Sequence, residues 1–158
     1  MLNLVEPLDF ARHAGADLGV TDWMEITQQQ IDAYAELTGD DHWIHVDVAR
    51  AAREQPDGRT IAHGLFLLGL IPRLQRQLFR IEKRGAGLNY GYETVRFTAP
   101  VPVGSNIRLH QQVIGATAKG TGARIELRST IELQASELQA SEKPALVAHG
   151  ILLIARQG

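Results

Sequence analysis

The sequence predicts one α+β domain in which an antiparallel β-sheet wraps around a central helix. Three observations lead to this prediction. A strongly apolar helical segment lies near the middle of the chain, four extended segments fill the second half, and no linker-like stretch separates the two halves. Because 158 residues is close to the roughly 150 residues expected for one domain, we expect residues 1–158 to share a single core.

A helix is predicted over residues 27–38. Thr27 and Gln30 stand at the spacing of a capping box at its start, and Gly39 provides a stop at its end. Residues 23–26 are compatible with a short strand before the helix. One face of the helix is expected to be buried because its apolar residues recur at spacing three, at Ile31, Tyr34 and Leu37.

The central helix is predicted to run from His63 to about Ile81. A shorter helix over residues 48–53, capped by Asp47, precedes it and ends at a Pro-Asp-Gly turn. Pro72 should kink or restart the central helix, because proline removes a backbone hydrogen bond. The first two turns are apolar all round, which predicts burial on every side, through Leu65, Phe66, Leu67, Leu68, Leu70 and Ile71.

Four extended segments follow, near residues 88–98, 105–116, 122–134 and 144–155. The third alternates apolar with charged and polar residues, which predicts one buried face and antiparallel pairing. The last segment has apolar residues at both odd and even positions, so both of its faces are apolar. This pattern predicts a central place in the sheet or a contact with another subunit. Residues 132–141 repeat the pentad Glu-Leu-Gln-Ala-Ser, which we interpret as a lengthened hairpin turn outside the core. With the buried helix, these strands indicate a hotdog-type arrangement.

Composition excludes several classes of function. Sixteen Lys and Arg against eighteen Asp and Glu leave a formal net charge of -2, so the chain lacks the basic character of a general nucleic-acid binder. The absence of cysteine excludes disulfides and thiolate chemistry and favours a cytoplasmic location. The most apolar run, residues 65–71, is much shorter than the roughly 20 residues that span a bilayer, so no membrane association is expected.

The densest group of polar residues, residues 38–47, directly follows the first helix. Asp40 and His45 are close enough in sequence for a turn to direct a carboxylate and an imidazole at one water molecule, a pair suited to proton transfer. A zinc site of His42, His45 and Asp47 is a weaker alternative, because no histidine pair here has the i, i+4 spacing of the familiar helical zinc motif. A structural interpretation, with Asp47 as a helix cap and solvated neighbours, also stays open.

A second feature is the sequence Ile61-Ala-His-Gly64 at the start of the central helix. The first N–H groups of a helix are unpaired and carry partial positive charge, so they can bind a carbonyl oxygen that becomes negative during a reaction. Gly64 would then allow a substrate to approach closely. The alternative is that Gly64 relieves crowding between helix and sheet and that His63 is a half-buried polar residue with no part in binding.

These two features together resemble the hydratase motif of the MaoC-like dehydratase and (R)-specific enoyl-CoA hydratase family. The resemblance is carried by Tyr34-Ala-Glu-Leu-Thr-Gly-Asp-Asp-His-Trp-Ile-His-Val-Asp47 and, after a gap, by Ile61-Ala-His-Gly64. Asn89-Tyr-Gly91 and Val95-Arg-Phe97 are similar to the nodulation-protein-N-like branch of that family. The similarity extends from about residue 21 to the C-terminus.

The resemblance implies a hotdog fold, usually dimeric, that acts on acyl thioesters of coenzyme A without a metal or organic cofactor. Asp40 and His45 match the catalytic pair, which would hold the water that adds to C3 of a trans-2-enoyl thioester to give the (R)-3-hydroxyacyl thioester. The backbone N–H at Gly64 would bind the thioester oxygen, and His63 and Tyr34 would contribute to substrate binding.

The chain departs from the common motif in two places. His42-Trp43 stands where most members have Asn-Pro, and the helix after Gly64 has no serine to assist in the site. Two other interpretations therefore stay open, a hotdog thioesterase and a non-catalytic module that binds acyl thioesters. Five cations that cluster after Pro72 are expected either to meet the phosphates of coenzyme A or to form a solvated helix face: Arg73, Arg76, Arg80, Lys83 and Arg84.

Overall fold

Nine strands and four α-helices make up the part of the chain that the computed structural model describes, residues 1–136 and 139–157. The strands are β1 (Leu2–Leu4), β2 (Asp17–Val20), β3 (Met24–Glu25), β4 (Phe79–Ile81), β5 (Arg84–Phe97), β6 (Asn106–Lys119), β7 (Gly122–Ser136), β8 (Gln139–Ala140) and β9 (Leu146–Arg156). The helices are α1 (Gln28–Thr38), α2 (Trp43–Val46), α3 (Val48–Glu54) and α4 (Gly64–Leu74), and 3₁₀ helices cover Pro7–His13 and Gln75–Gln77.

An antiparallel sheet with the strand order β2-β6-β7-β9-β5 dominates the fold. Its four long strands begin and end within a few residues of the four predicted segments, so this half of the prediction is confirmed. β9 pairs with β7 on one side and with β5 on the other. This central position explains why both faces of β9 are apolar. β5 forms one edge of the sheet.

The inner face of the sheet packs against α4, which is the predicted central helix. Leu67, Leu70, Ile71 and Leu74 are the buried residues of α4 and belong to the main core. Leu65, in contrast, is 61% exposed. The prediction that the first two turns are buried on every side is therefore wrong, because the sheet of one chain covers only one face of the helix.

The central helix is also shorter than predicted, because it ends at Leu74 and not near Ile81. Pro72 lies in its last turn, where proline removes a backbone hydrogen bond. The residues that follow gain strand bonds instead, since β4 pairs in parallel with β1. Within the described residues, no helix has both the length and the apolar character needed to cross a membrane.

The first helix, α1, begins and ends as predicted. Thr27 and Gln30 form the capping box, and Gly39 ends the helix in the left-handed conformation with a φ of 76°, which glycine adopts without a steric penalty. Ile31 is fully buried, but Leu37 is 84% exposed. The apolar face was therefore predicted too wide. The turn at Gly39 directs the chain into the polar loop that follows.

The repeated pentad forms the predicted hairpin only in part, because its first copy continues a strand. Residues 132–136 continue β7, and Glu132 lies opposite Arg108 of β6, with which it forms a salt bridge of 2.7 Å. Such cross-strand pairs stabilise a sheet and extend it here. In the second copy, residues 139–140 form β8, which pairs back on β7, and residues 137–138 lie outside the described residues.

Candidate active site

The short helix α2 places His45 beside the start of α4. Its ring nitrogen Nδ1 lies 2.7 Å from the carbonyl oxygen of Ile61. Because a carbonyl oxygen only accepts hydrogen bonds, Nδ1 carries the proton and the lone pair of the neutral ring is on Nε2. The backbone of Ile61 is itself held, since its N–H donates to the carbonyl oxygen of Ile44 at 3.0 Å. This arrangement leaves Nε2 of His45 available as a base.

His63 contacts both halves of the predicted catalytic pair. Its Nε2–H donates to the backbone carbonyl oxygen of Asp40 at 2.8 Å, and its ring stacks on the ring of His45. His63 is buried, whereas Asp40 lies in an exposed loop, so this bond restricts where the loop can place the carboxylate. One polar side-chain atom from each of Asp40, His45 and His63 lies within 4.8 Å of the others. A single water can bridge groups at such a distance.

These side chains face a cavity of about 370 Å³. Asp40, His45 and His63 form its polar end, together with Gly64 at the start of α4. A mostly apolar cavity with a few convergent polar groups is the usual form of a small-molecule site. The apolar wall comes from α4, from the end of β5 and from the segments around them: Leu65, Leu67, Phe97, Val101 and Ala145.

The first turn of α4 meets the cavity at Gly64. The first N–H groups of a helix have no acceptor within the helix, so the Gly64 N–H can donate to an oxygen of a bound ligand. A Cβ added at Gly64 would lie 2.7 Å from Cδ1 of Phe97. Crowding between the helix and the sheet is therefore real at this position. The role of Gly64 in oxyanion binding stays a prediction.

Burial controls the charge of the histidine in the pair. Desolvation lowers the pKa of His45 below its ordinary value, while the bond to Ile61 raises it and the neighbouring His63 lowers it again. The carboxylate of Asp40 also raises the pKa, but the net direction is downward. Neutral imidazole is therefore favoured at neutral pH. This is the form in which Nε2 can accept a proton.

The zinc site considered from the sequence is not assembled by the fold. Asp47 caps α3 by accepting a hydrogen bond from the N–H of Arg50 at 2.9 Å, and the ring of His42 packs against that of Trp43. The structure instead groups Asp40, His45 and His63, a donor set that a divalent cation can accept. The imidazole nitrogens free to bind such a cation would be Nε2 of His45 and Nδ1 of His63, since the other ring nitrogens contact backbone carbonyl oxygens.

Tyr34 lies behind His63. Its ring contacts the rings of His63 and Phe66, with centroid distances of 4.8 and 5.5 Å. Through these contacts Tyr34 supports the orientation of His63 in the cavity wall. A direct contact between Tyr34 and the substrate stays a prediction.

The basic cluster lies at the other end of α4. Arg76, Arg80 and Arg84 line a separate groove of about 480 Å³. The rise of an α-helix places Leu74 about 15 Å along the axis from Gly64. Within one chain, the cluster is therefore remote from the pair formed by Asp40 and His45.

Sequence reasoning missed the role of Phe97 in the cavity. Phe97 ends β5 and covers the start of α4, where its ring lies against Gly64. The residue belongs to Val95-Arg-Phe97, a segment that carries part of the family resemblance. A large aromatic residue at the end of a predicted strand was the available signal.

Known proteins with similar sequences carry related names. Residues 9–135 match the family described as MaoC like domain. The 3-hydroxyacyl-thioester dehydratase Z of Mycobacterium tuberculosis is 43% identical over 144 residues, which cover 91% of this chain and 92% of the relative. Nodulation protein N of Rhizobium leguminosarum bv. viciae is 36% identical over 147 residues, covering 92% of this chain and 89% of the relative.

Solved structures share the fold at lower sequence identity. The unliganded R-hydratase PhaJ1 from Pseudomonas aeruginosa gives a TM-score of 0.69 at 20% identity, over 97% of this chain and 89% of that chain. An (R)-hydratase from A. caviae gives a TM-score of 0.63 at 20% identity, over 88% and 94%. These structures confirm the predicted hotdog fold. From the family match and the two sequence relatives, the chain belongs to the MaoC-like dehydratase family.

Proposed function

We propose that this protein interconverts trans-2-enoyl thioesters and (R)-3-hydroxyacyl thioesters. The observation that carries the proposal is the convergence of Asp40 and His45 on one mostly apolar cavity at the first turn of α4. The 43% identical relative is named as a 3-hydroxyacyl-thioester dehydratase. A relative from Methylorubrum extorquens, 32% identical over 111 residues, is named as a 3-hydroxybutyryl-CoA dehydratase. Both names describe this reaction class.

In the direction of hydration, one water bridges Asp40 and His45. Nε2 of His45 takes a proton from the water as the water oxygen bonds to C3, while Asp40 accepts the second hydrogen bond. The electrons of the C2=C3 double bond move onto the thioester oxygen, and the pair then returns a proton to C2. Dehydration is the reverse sequence. General acid–base catalysis of this kind contributes roughly 10²–10⁴-fold to a rate.

The enolate oxygen that forms between these two steps needs a hydrogen-bond donor. The N–H of Gly64 is the proposed donor, because it belongs to the unpaired first turn of α4 and lines the same cavity. The partial positive charge at the start of the helix favours a negative oxygen there. The donor and the water-binding pair thus act on opposite ends of the three-carbon unit that reacts.

Two other activities compete with the proposed hydration: hydrolysis of the thioester and binding without turnover. The deciding assay follows a short and a long trans-2-enoyl-CoA by their ultraviolet absorbance and by a thiol reagent. Hydration removes the absorbance of the conjugated thioester without releasing thiol, and this is the expected result. Release of thiol would show a thioesterase, and no change in either signal would show a binding module.

We further propose a homodimer formed through β5. This edge strand is 14 residues long and exposes Leu88 and Tyr90 by 64% and 65%. A long apolar edge strand is prone to pair with another strand. Antiparallel pairing of β5 with the β5 of a second copy, around a two-fold axis, would satisfy the unpaired backbone groups of this edge. The C-terminal strand β9, whose two apolar faces had suggested an interface, is instead flanked by strands of its own chain.

Such a dimer would bring the basic groove of one protomer next to the active-site cavity of the other. Arg84 begins β5 and lines the groove, whereas Phe97 ends β5 and lines the cavity. Antiparallel pairing over the whole length of β5 would therefore set the partner's Arg84 beside Phe97. Guanidinium groups bind phosphate well, so the phosphates of coenzyme A are the proposed ligands of the groove. Coenzyme A as carrier and the cytoplasm as compartment belong to this proposal.

A further inference from the structure

Three buried polar side chains interrupt the apolar layer between α4 and the sheet. Gln111 of β6, Ser129 of β7 and Gln75, which follows α4, are 1%, 2% and 9% exposed. Nε2 of Gln111 donates to Oγ of Ser129 at 2.9 Å and to Oε1 of Gln75 at 3.4 Å. Oε1 of Gln111, however, has no hydrogen-bond partner among the described residues. A buried acceptor is rarely left unpaired, so this oxygen points to a donor that is not part of the chain.

Gln111 and Ser129 line a small cavity under the end of α4. Its volume is about 20 Å³, which is room for one group of the size of a water molecule. Asn89 and Tyr92 of β5 line it as well, and the Asn89 side-chain amide donates to the Tyr92 hydroxyl at 2.9 Å. That bond leaves the Tyr92 hydroxyl hydrogen free to donate. The space therefore suits a single hydroxyl group.

This small cavity and the active-site cavity both lie between α4 and the sheet. α4 contributes Leu67 to the active-site cavity and Ile71, one turn later, to the small cavity. β5 contributes Phe97 to the first and Tyr92 to the second. β9 runs alongside β5, and its Gly150, opposite Tyr92, lines the small cavity. The two cavities share no lining residue, but α4 and β5 border both of them.

The separation of the two cavities corresponds to an acyl chain of intermediate length. Ile71 lies about 10 Å from Gly64 along the helix axis, and Tyr92 lies roughly 16 Å from Phe97 along the strand. A thioester whose oxygen is bound at Gly64 and whose acyl chain follows α4 would therefore reach Gln111 with the far end of that chain. The reacting carbons would stay beside Asp40 and His45.

We propose that Gln111 recognises a hydroxyl group at the far end of the acyl chain, so that hydroxylated trans-2-enoyl thioesters are the preferred substrates. This inference rests on the hydratase function proposed above. The substrate hydroxyl donates to Oε1 of Gln111 and accepts from the hydroxyl of Tyr92. An unsubstituted chain would displace water from the cavity and leave the Gln111 acceptor unpaired. Sites built on buried hydrogen bonds discriminate against analogues that lack the matching group.

The test compares two trans-2-enoyl-CoA substrates of the same length, one with a methyl end and one with a terminal hydroxyl group, in series of eight, ten and twelve carbons. For the natural protein, kcat/KM should be at least about tenfold higher for the hydroxylated substrate at the best length. Gln111→Leu should remove this preference. A methyl ketone at the penultimate carbon can accept a hydrogen bond from Tyr92 but cannot donate one to Gln111, so it should gain much less than the hydroxyl group does.

Gln112→Leu is the matched control, because adjacent side chains of a strand point to opposite faces and Gln112 bonds the carbonyl oxygen of Gly15. It should keep the preference. The ratio of kcat/KM for two substrates, measured on one preparation, does not depend on the folded fraction. Equal values for the natural protein, or a preference that survives Gln111→Leu, would overturn the inference and assign the cavity to a water. Failure to hydrate any substrate would refute the hydratase function itself, and the inference with it.

Discussion

The imidazole rings of His45 and His63 are stacked, with centroids 3.7 Å apart and planes inclined by 24°. Backbone carbonyl oxygens hold both rings, that of Ile61 for His45 and that of Asp40 for His63. Neither ring can turn without losing a hydrogen bond. Two positive charges at this separation would repel each other. The stack therefore couples the protonation of the proposed base to the residue that restrains the loop of Asp40.

The enzyme is expected to stay active below the ordinary pKa of histidine. Burial lowers the pKa of His45, so its ring stays neutral and basic below about pH 6.5. The acid limb of kcat/KM against pH reports the free enzyme, and its midpoint should lie below that value. The same shift reduces stability in acid, because between the lowered pKa and about 6.5 the unfolded chain binds more protons than the folded chain.

His63→Ala supplies the check on this pH profile. Removing the ring admits water to His45 and takes away a neighbour that lowers its pKa, so the midpoint should move to higher pH. His110→Ala is the control, because His110 bonds Asp17 at 2.8 Å on a different part of the sheet. An acid limb that is the same in His63→Ala and the natural protein would show that the stacked pair does not set it.

Asp40→Asn and His45→Ala should each reduce turnover by about 10²–10⁴-fold while the protein stays folded. The double variant should be little worse than either single variant, because both side chains hold one water. Asp41→Asn is the matched control, since Asp41 is an exposed neighbour in the same loop, and its effect should be mild. Multiplicative losses in the double variant would contradict a shared water.

The dimer proposal predicts that Leu88→Glu yields monomers. In the register that sets Arg84 beside Phe97, each introduced carboxylate would lie opposite Glu93 of the partner subunit, and like charges directly opposite each other destabilise a sheet. The molecular mass from light scattering should be twice 17.4 kDa for the natural protein and that of a single chain for the variant. Leu37→Glu changes a leucine of α1 that is still more exposed, at 84%, and this variant should stay dimeric. A monomeric natural protein at micromolar concentration would refute the proposal.

Arg80→Ala should raise KM for an enoyl-CoA by about tenfold and leave kcat nearly unchanged, because a charged hydrogen bond to phosphate acts on binding. The effect should weaken at high salt. It should vanish for an enoyl-pantetheine, which has no phosphate. Arg53→Ala, on α3, is the control and should bind both substrates normally. Equal effects of Arg80→Ala on the two thioesters would exclude phosphate binding by the groove.

Local signals explain which parts of the fold could be predicted. The capping box of Thr27 and Gln30 and the left-handed Gly39 are interactions within one helix, so the sequence pattern contains them. The end of α4 is different, because β4 exists only through its pairing with Leu2–Leu4. No pattern within residues 63–81 records that distant partner. The continued helix was predicted for this reason.

The same distinction applies to the site. Asp40, His45 and Gly64 stand in recognisable segments, and the structure brings all three to one cavity. The protonated nitrogen of His45, however, depends on a carbonyl oxygen 16 residues away. The contact of Gly64 with Phe97 likewise joins a helix to the end of a strand. Such features require the packed fold, because they lie between elements.

The contact between Gly64 and Phe97 also determines how the oxyanion role must be tested. A methyl group at Gly64 would meet the Phe97 ring at 2.7 Å, so Gly64→Ala alone combines a steric clash with an obstacle to the substrate. Because Phe97 is half exposed and its ring can shift, the loss of stability should be near the low end of the overpacking range, about 1 kcal/mol. Thermal unfolding measures this part.

Phe97→Ala removes the ring and separates the two effects. In that background Gly64→Ala should cost almost no stability, because the three atoms nearest to the added methyl group, all of the Phe97 ring, are gone. Turnover should nevertheless fall by about 10²-fold relative to Phe97→Ala, since the methyl group still keeps the thioester oxygen away from the Gly64 N–H, and donors of this type contribute about 10²–10³-fold. If the double variant turned over as fast as Phe97→Ala, Gly64 would serve packing alone, and the oxyanion would have to be bound elsewhere in the cavity.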